Sequence, residues 1–456
     1  MIQRHRGFEG TLAFLPKEVW DLAHLLLKAG HSLYLCGGSV RDLLLGQYPL
    51  DLDLATSAYP QELRSLLPSS WSKDSALGEN FGSFLLEVGG TAMELTSFRS
   101  EGDYQDYRHP GKVHFHRELQ RDWPRRDYSV NALYQDLGSG EIIDPCKGID
   151  DLRMRRLRVL GIPEVQLSQD PLRVLRGIRI AAEFGFVPEQ KTWEGICQTA
   201  PLTRELSGTR VGEEIQKILR GKGRARGLRL LLNSGVLKEW IPELLALKEV
   251  PQPKVFHPEG PVLLHTECVL ANLKEPISPA LAWAALLHDT GKKDCYSVGE
   301  DRIRFHGHDL VSVEHTKKIL DRFSVPKQIR NDCCSLIEEH IRIASFPNWR
   351  KRNQETFLRD PLFLEHLALH QADCLGSHRL LGIYQKLLEA WKRLPPLPPR
   401  PLLDGKDLIH LGWSPGPLFR QILDEIEDLR SEGKIHGRED AIQFAKEFRR
   451  WRKGCR

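Results

Sequence analysis

The chain has 456 residues, 41% of them hydrophobic, which is enough for about two to four domains with separate cores. Its 65 basic and 61 acidic residues leave a formal charge of only +4, so overall charge does not argue for a nucleic-acid partner, and local clusters must carry that case. The nine cysteines form no C-x-x-C pair or framework, the first residues lack a signal-peptide core, and no apolar run approaches the roughly 20 residues of a membrane span; a soluble, cytoplasmic protein with reduced thiols is expected.

In chain order, residues 16–29 read as an amphipathic helix with proline in its first turn, and "HSLYLCGG" as a buried strand ending in a glycine turn. "LDLDLAT" alternates apolar and acidic residues, the period of a strand with one face toward a polar cleft. "SFLLEVGGTAMELTSFR" reads as a hairpin turning at Gly89-Gly90. Beyond Gly148 the strand signal fades, and residues 171–184, 212–219, 224–233 and 279–287 carry helical spacing. The proline-rich segments "KEVPQPKVFHPEGPV" and "RLPPLPPRPLLDGKD" read as linkers.

Asp51 and Asp53 stand at i and i+2, so on a strand both carboxylates leave one face a few ångströms apart. Such a pair is unfavourable without a cation, and hard oxygen ligands suit Mg²⁺. Isolated, this D-x-D would be a solvated edge strand, but Gly37, Gly38, Ser39 and Arg41 precede it at a strand-to-helix turn where backbone amides can approach phosphate. Glu94, flanked by apolar Met93 and Leu95, supplies a third carboxylate of the kind used in two-metal phosphoryl transfer.

"GGSVRDLLLGQYPLDLDLAT", "ELTSFRSEGDYQDYRHPGKVHF", "RRDYSVNALYQD" and "QDPLRVLRGIRIAAEFGF" together resemble the class II tRNA nucleotidyltransferase and bacterial poly(A) polymerase family, in order and spacing. The resemblance implies an α+β fold: a polymerase-beta-type nucleotidyltransferase head with a mixed sheet, followed by an all-helical neck and body. It implies catalytic Asp51, Asp53 and Glu94, of which the two aspartates bind metal, and nucleotide contacts from Gly37, Gly38, Arg41, Arg126, Asp127, Asn131, Asp170, Arg173, Arg176 and Arg179. Guanidinium on phosphate and carboxylate or amide on ribose hydroxyls are sensible pairings.

Asp170 and Arg173, three apart, would share one face of a helix and present an acceptor beside a donor fork. Cytosine and adenine match that order; uracil and guanine invert it. The family's E-D-x-x-R motif selects CTP and ATP in this way, but here Gln169 replaces its Glu, and Thr209 replaces the first Glu of the neck motif in which Arg210 and Glu214 remain. The "RSEGDYQDYRHPGKV" segment resembles the family's full-length switching loop, which favours addition of complete CCA. Basic clusters at Arg153 to Arg158, Leu219 to Arg229 and "FRRWRKGCR" suit tRNA phosphates or solvated helix faces.

In the second half, His265, the adjacent His288-Asp289 and Asp373 resemble the HD metal-dependent phosphohydrolase superfamily, with His308 and His340 as further candidate ligands. Adjacent His288 and Asp289 need a helix end to point at one ion, and Ni²⁺ or Mn²⁺ suits mixed ligands. The expectation is therefore a head (1–147), a neck for nucleotide selection and RNA binding (148–250), an HD domain (251–394) and a helical, tRNA-binding tail (395–456). Its substrates would be ATP, CTP and the tRNA 3′ end, with Mg²⁺ in the head and a second divalent metal in the HD domain; the spacing leaves oligomeric state open. Alternatives are a poly(A) polymerase, an enzyme adding only CC or only A, or an HD phosphohydrolase with an RNA-binding head.

Overall fold

The computed structural model describes residues 2–6, 9–49, 51–71, 82–102, 112–300, 303–395 and 400–454. The switching-loop expectation falls mainly on 103–111, the second linker partly on 396–399, and the side chains of the C-terminal basic run beyond Phe448, all outside the described residues. The chain forms two compact units, residues 1–245 with 319–325, and 246–318 with 326–456.

The first unit opens on a mixed sheet built from β1 (Gln3–His5), β2 (Leu33–Cys36), β3 (Asp53–Thr56), β4 (Ser83–Val88) and β5 (Thr91–Ser97). Beyond the small antiparallel pair β6 (Arg99–Glu101) and β7 (Val113–Phe115) come β8 (Tyr134–Asp136) and β9 (Ile142–Asp144). The sheet order is β1-β9-β8-β2-β3-β5-β4, antiparallel except where β3 and β5 run side by side. The β4–β5 hairpin turns on Gly89 and Gly90, both at positive φ, as a tight primed turn requires. Leu33, Leu35, Leu54, Leu86 and Leu95 bury one sheet face, so the alternating acidic residues face the other way.

Ser39 ties the glycine turn to β3, for its Oγ donates to the Asp51 carbonyl at 2.8 Å and accepts from Asp53 N at 2.9 Å. Asp51 therefore precedes the strand, in a bend, while Asp53 begins it. After β9 the unit is helical, with helices Leu172–Phe184, Gly208–Arg220 and Arg224–Ser234 close to the expected spans. The Arg153 to Arg158 cluster is no helix face: a helix ends at Arg153, a short strand holds Arg156, and Arg156 and Arg158 pair with fully buried Asp151 at 2.5 and 2.7 Å. Those two arginines are tied to a buried carboxylate.

The second unit is built around helix Pro279–Leu287, which is buried on nearly every side and capped by Ser278, whose Oγ accepts from Leu281 N. Helices Val262–Asn272, Lys327–Arg342 and Phe363–Gly376 bring further histidines and an aspartate to its C-terminal end. The first proline-rich segment is a correction to the linker reading. It is folded onto this unit: Val262 N donates to Val250 O at 3.1 Å, and Gln252 is buried. The tail has its own small core around Leu408, Trp413, Ile422 and Phe448.

Gly177, on helix Leu172–Phe184, packs against Tyr128 within the first unit. A Cβ there would overlap the hydroxyl of buried Tyr128, which donates to Arg173 O at 2.8 Å. Gly177→Ala is expected to cost about 1–3 kcal/mol, read as a lower thermal midpoint; an unchanged midpoint would show that this packing is not tight.

Candidate active site and metal centre

At the end of β2 the chain turns through Gly37, whose φ is +66°. A side chain there would meet Arg126 Nη1 at 3.0 Å and Asp53 Oδ2 at 3.4 Å, so both the backbone angle and the space call for glycine. The same distances bring Arg126 and Asp53 together over the bare Cα of the turn. Gly38 starts the helix Gly38–Leu44, and a Cβ at this position would stand only 3.4 Å from Arg41 Nη2. Asp53 and Glu94 are direct register partners on the parallel strands β3 and β5.

Burial, then the Glu94 charge and more weakly that of Asp51, pushes the Asp53 carboxyl up to about 6 against the pull of Arg126. A desolvated carboxylate with two acidic neighbours is stabilised by a cation, so this donor set fits a hard divalent ion. Arg41 is buried, donates through Nη1 to Asn131 Oδ1 at 2.7 Å and packs over the Phe184 ring at 4.5 Å. Asn131 Nδ2 donates to Asp127 Oδ1 at 3.1 Å, and Asp127 Oδ2 lies 3.0 Å from Arg176 Nη2. Arg41, Asn131, Asp127 and Arg176 thus form one chain of charge-assisted contacts from turn to neck. Arg179 points elsewhere, donating to Glu214 Oε2 at 2.9 Å.

The base-reading pair requires a correction. Asp170 is not on the helix with Arg173. It is extended (φ −136°, ψ 92°) ahead of Pro171, and its Oδ1 accepts from Leu172 N at 3.2 Å. A residue before proline is pushed out of the α region. Arg173 is buried and donates to Gln166 O and Oε1 and, at 2.9 Å, to Arg125 O, while Asp170 Oδ1 lies 3.8 Å from Arg210 Nη2. Arg173 and Gln169 nevertheless line one cleft with Glu101, Arg121, Arg125 and Gln166.

Sequence reasoning misses Asp122, which sits inside a run of arginines. Its carboxylate is completely buried and accepts from Arg125 Nε at 2.9 Å, Arg99 N at 3.2 Å and Tyr134 Oη at 2.6 Å; Tyr134 in turn accepts from Arg126 Nε at 2.6 Å. Opposed by burial but held by Arg125 and Arg126, that carboxyl lies down at about 2. One buried anion therefore aims the arginine that faces Asp53.

In the second unit, His288 caps helix Pro279–Leu287 and Asp289 leaves the helical path, so both side chains point inward. Asp289 is the hub. Its Oδ2 lies 3.3 Å from His288 Nε2, 3.6 Å from His265 Nε2 and 2.7 Å from Lys292 Nζ; its Oδ1 lies 3.3 Å from His308 Nε2 and 3.8 Å from His340 Nε2. His265 Nε2 also lies 3.0 Å from Asp373 Oδ1. All six expected residues converge. Nε2 of His308 and of His340 is buried with no hydrogen-bond partner, and two triads, His265-His288-Asp373 and Asp289-His308-His340, have ligand atoms within 4.8 Å of one another. Orphaned imidazole nitrogens around a buried carboxylate fit a divalent metal. Glu259 and His257, in the supposed linker, join the cluster through His265 Nδ1, and sequence reasoning misses them too.

Fold and sites define an α+β first unit with an acidic strand pair at a glycine turn and a helical second unit with a buried His/Asp cluster. Residues 33–158 match the Poly A polymerase head domain, 185–247 the probable RNA and SrmB-binding site of polymerase A, and 263–373 the HD domain. The chain thus carries a poly A polymerase-type head domain, the RNA-binding segment of that polymerase and an HD domain. The CCA-adding enzyme of Lactococcus lactis is 40% identical over 244 residues, 52% of this chain and 60% of that protein; the chain thus spans little more than half of that relative. The CCA-adding enzyme of Levilactobacillus brevis is 29% identical over 95% of this chain and 99% of its own length. Among solved structures, the Bacillus stearothermophilus CCA-adding enzyme in complex with CTP superposes with a TM-score of 0.73 at 25% identity, covering 96% of this chain and 99% of that one. The Thermotoga maritima CCA-adding enzyme complexed with tRNA shares the fold, with a TM-score of 0.63 at 20% identity over 97% and 98% of the two chains. Among the described residues no helix is long and apolar enough to cross a membrane.

The raised Asp53 carboxyl makes a stability prediction for metal-free protein. Below about pH 4 it is protonated in folded and unfolded chains alike. Between about pH 4 and 6 the unfolded chain ionises first, so stability from this group is lost as pH rises and is gone above about 6. Asp53→Asn is expected to raise metal-free stability at pH 7 by on the order of 2 kcal/mol, with no gain at pH 4. Denaturant melts in chelator at both pH values check this; equal gains at both would contradict it.

Proposed function

We propose that this chain is a tRNA nucleotidyltransferase that adds all or part of the 3′-terminal CCA from CTP and ATP without a nucleic-acid template, working in the cytoplasm. The observation that carries the reading is the turn at Gly37 with Asp53 and Arg126 both packed against its bare Cα and Glu94 in register with Asp53. Asp51 and Asp53 would hold Mg²⁺, which supplies charge for the triphosphate and the incoming hydroxyl when bound. The Gly37-Gly38 amides and Arg126 receive the phosphates, Asp127 and Asn131 face the ribose, and the tRNA 3′-hydroxyl attacks the α-phosphate as pyrophosphate leaves. Residues 1–147 form the catalytic head, 148–250 the selecting neck, 251–394 the HD domain and 395–456 the tRNA-binding tail. Arg173 reads the base by giving up its bond to Gln166, while Asp170 turns from Arg210; Arg176 keeps Asp127 in place.

Extension of tRNA transcripts lacking CCA, lacking only the final A, or complete, with CTP and ATP singly and together, tests this. Sequenced products ending in CCA support the reading; long A tails on non-tRNA ends, or no incorporation, contradict it. Asp53→Asn should lower incorporation about 10³-fold, the equivalent of several kcal/mol of transition-state stabilisation. Arg173→Ala should erode selection of C and A over U and G by about 10-fold to 100-fold, the worth of one charge-assisted hydrogen bond.

A second activity is favoured by the buried His/Asp hub around Asp289. We infer that the second unit hydrolyses phosphomonoesters or 2′,3′-cyclic phosphates at RNA ends, with Ni²⁺ or Mn²⁺ supplying a water of lowered pKa when bound. Lys292, beside Asp289, supplies positive charge for the phosphate. The double variant His288→Ala, Asp289→Ala should lose hydrolysis of 2′,3′-cyclic nucleotide and of p-nitrophenyl phosphate; undiminished release would rule this centre out.

A further inference from the structure

The segment from Val250 to Val262 precedes the residues that match the HD family, 263–373, yet it reaches the metal centre at two points. Gln252 Oε1 accepts from Lys292 Nζ at 2.8 Å, and that ammonium also donates to Asp289 Oδ2. Seven residues on, Glu259 Oε1 accepts from His265 Nδ1 at 2.8 Å and from His257 Nδ1 at 2.9 Å. Internal bonds shape the strap between these points: His257 N donates to Pro253 O at 2.9 Å and Gly260 N to His257 O at 3.3 Å. Pro258 and Pro261 flank Glu259 at close range and restrict the backbone that carries it.

The chemistry of the contact fixes which nitrogen of His265 holds a proton. Glu259 Oε1 stands 2.8 Å from His265 Nδ1 and 2.9 Å from His257 Nδ1, and a carboxylate oxygen so placed accepts. Nδ1 of His265 must therefore be the N–H. The ring atom left to offer a lone pair to a metal is then Nε2, which lies 3.0 Å from Asp373 Oδ1 and 3.6 Å from Asp289 Oδ2. His265 is completely buried, so water cannot take over this orienting role.

We propose that Glu259 is the positioning residue of the HD-type centre, fixing the tautomer and the ring orientation of His265 so that Nε2 is presented as a metal ligand. This rests on the reading that the cluster holds a divalent ion. A carboxylate behind a ligating histidine both orients the ring and raises its basicity, and loss of such a partner typically weakens metal binding about 10-fold to 100-fold. The strap is thereby a working part of the site, and His257, sharing the same Glu259 oxygen, braces the carboxylate from its outer side.

The test is Co²⁺ titration of metal-free full-length protein, followed by the visible absorption of a histidine-ligated ion. The wild type should bind, Glu259→Leu should bind about 10-fold to 100-fold more weakly, and Glu259→Gln, whose amide oxygen still accepts from Nδ1, should recover much of the loss. Melting of the metal-free proteins should be alike, which separates positioning from folding. Equal affinity in wild type and Glu259→Leu would overturn the role of Glu259, as would equal losses in the Leu and Gln variants. No histidine-type absorption in the wild type would overturn the metal reading itself.

Discussion

The first unit depends on placing two carboxylates side by side on neighbouring parallel strands, Asp53 on β3 and Glu94 on β5. Coulomb repulsion at that spacing and partial burial would disfavour the arrangement in any sheet without a compensating positive charge. The surroundings supply it in two ways. Arg126 stands with Asp53 against the Gly37 turn, itself held by Tyr134 and the buried Asp122. The rest of the charge is left to be met by a cation, which is why Asp53 retains a proton so readily without one.

The second unit solves the same problem with different ligands. Asp289 is as buried as a core leucine, and five cationic or imidazole groups surround it. Helix Pro279–Leu287 has to end where it does, because adjacent residues on a continuing helix would point about 100° apart. Oxygen donors at the first centre and imidazoles at the second separate the two by metal preference, hard ions for one and borderline transition ions for the other.

Much of this is legible in the sequence because the signals are periodic. The Gly89-Gly90 hairpin, the glycine turn and the end of the His288-Asp289 helix each follow from local spacing, and the structure has them where the spacing puts them, whereas of the D-x-D pair only Asp53 is on the strand and Asp51 lies in the bend before it. The misreadings come from local context of another kind. Helical spacing puts Asp170 on a helix, but Pro171 follows it, and the steric rule for that position forbids it. Arg156 and Arg158 look like a nucleic-acid face because their partner, Asp151, is brought to them by a turn of the backbone. Glu259 and His257 are hidden among prolines that suggest a linker, and Asp122 among arginines that suggest a solvated run. Long-range pairing of this sort has no period for a sequence to display.

The central claim is that Asp53 sits in a desolvated, acid-flanked position that a cation relieves. Direct titration of its carboxyl by carbon-13 NMR, in metal-free protein and at saturating Mg²⁺, measures this. The account predicts an apparent pKa of about 6 without metal and ionisation throughout the accessible pH range with it. An ordinary value near 4 that Mg²⁺ leaves unchanged would contradict the account.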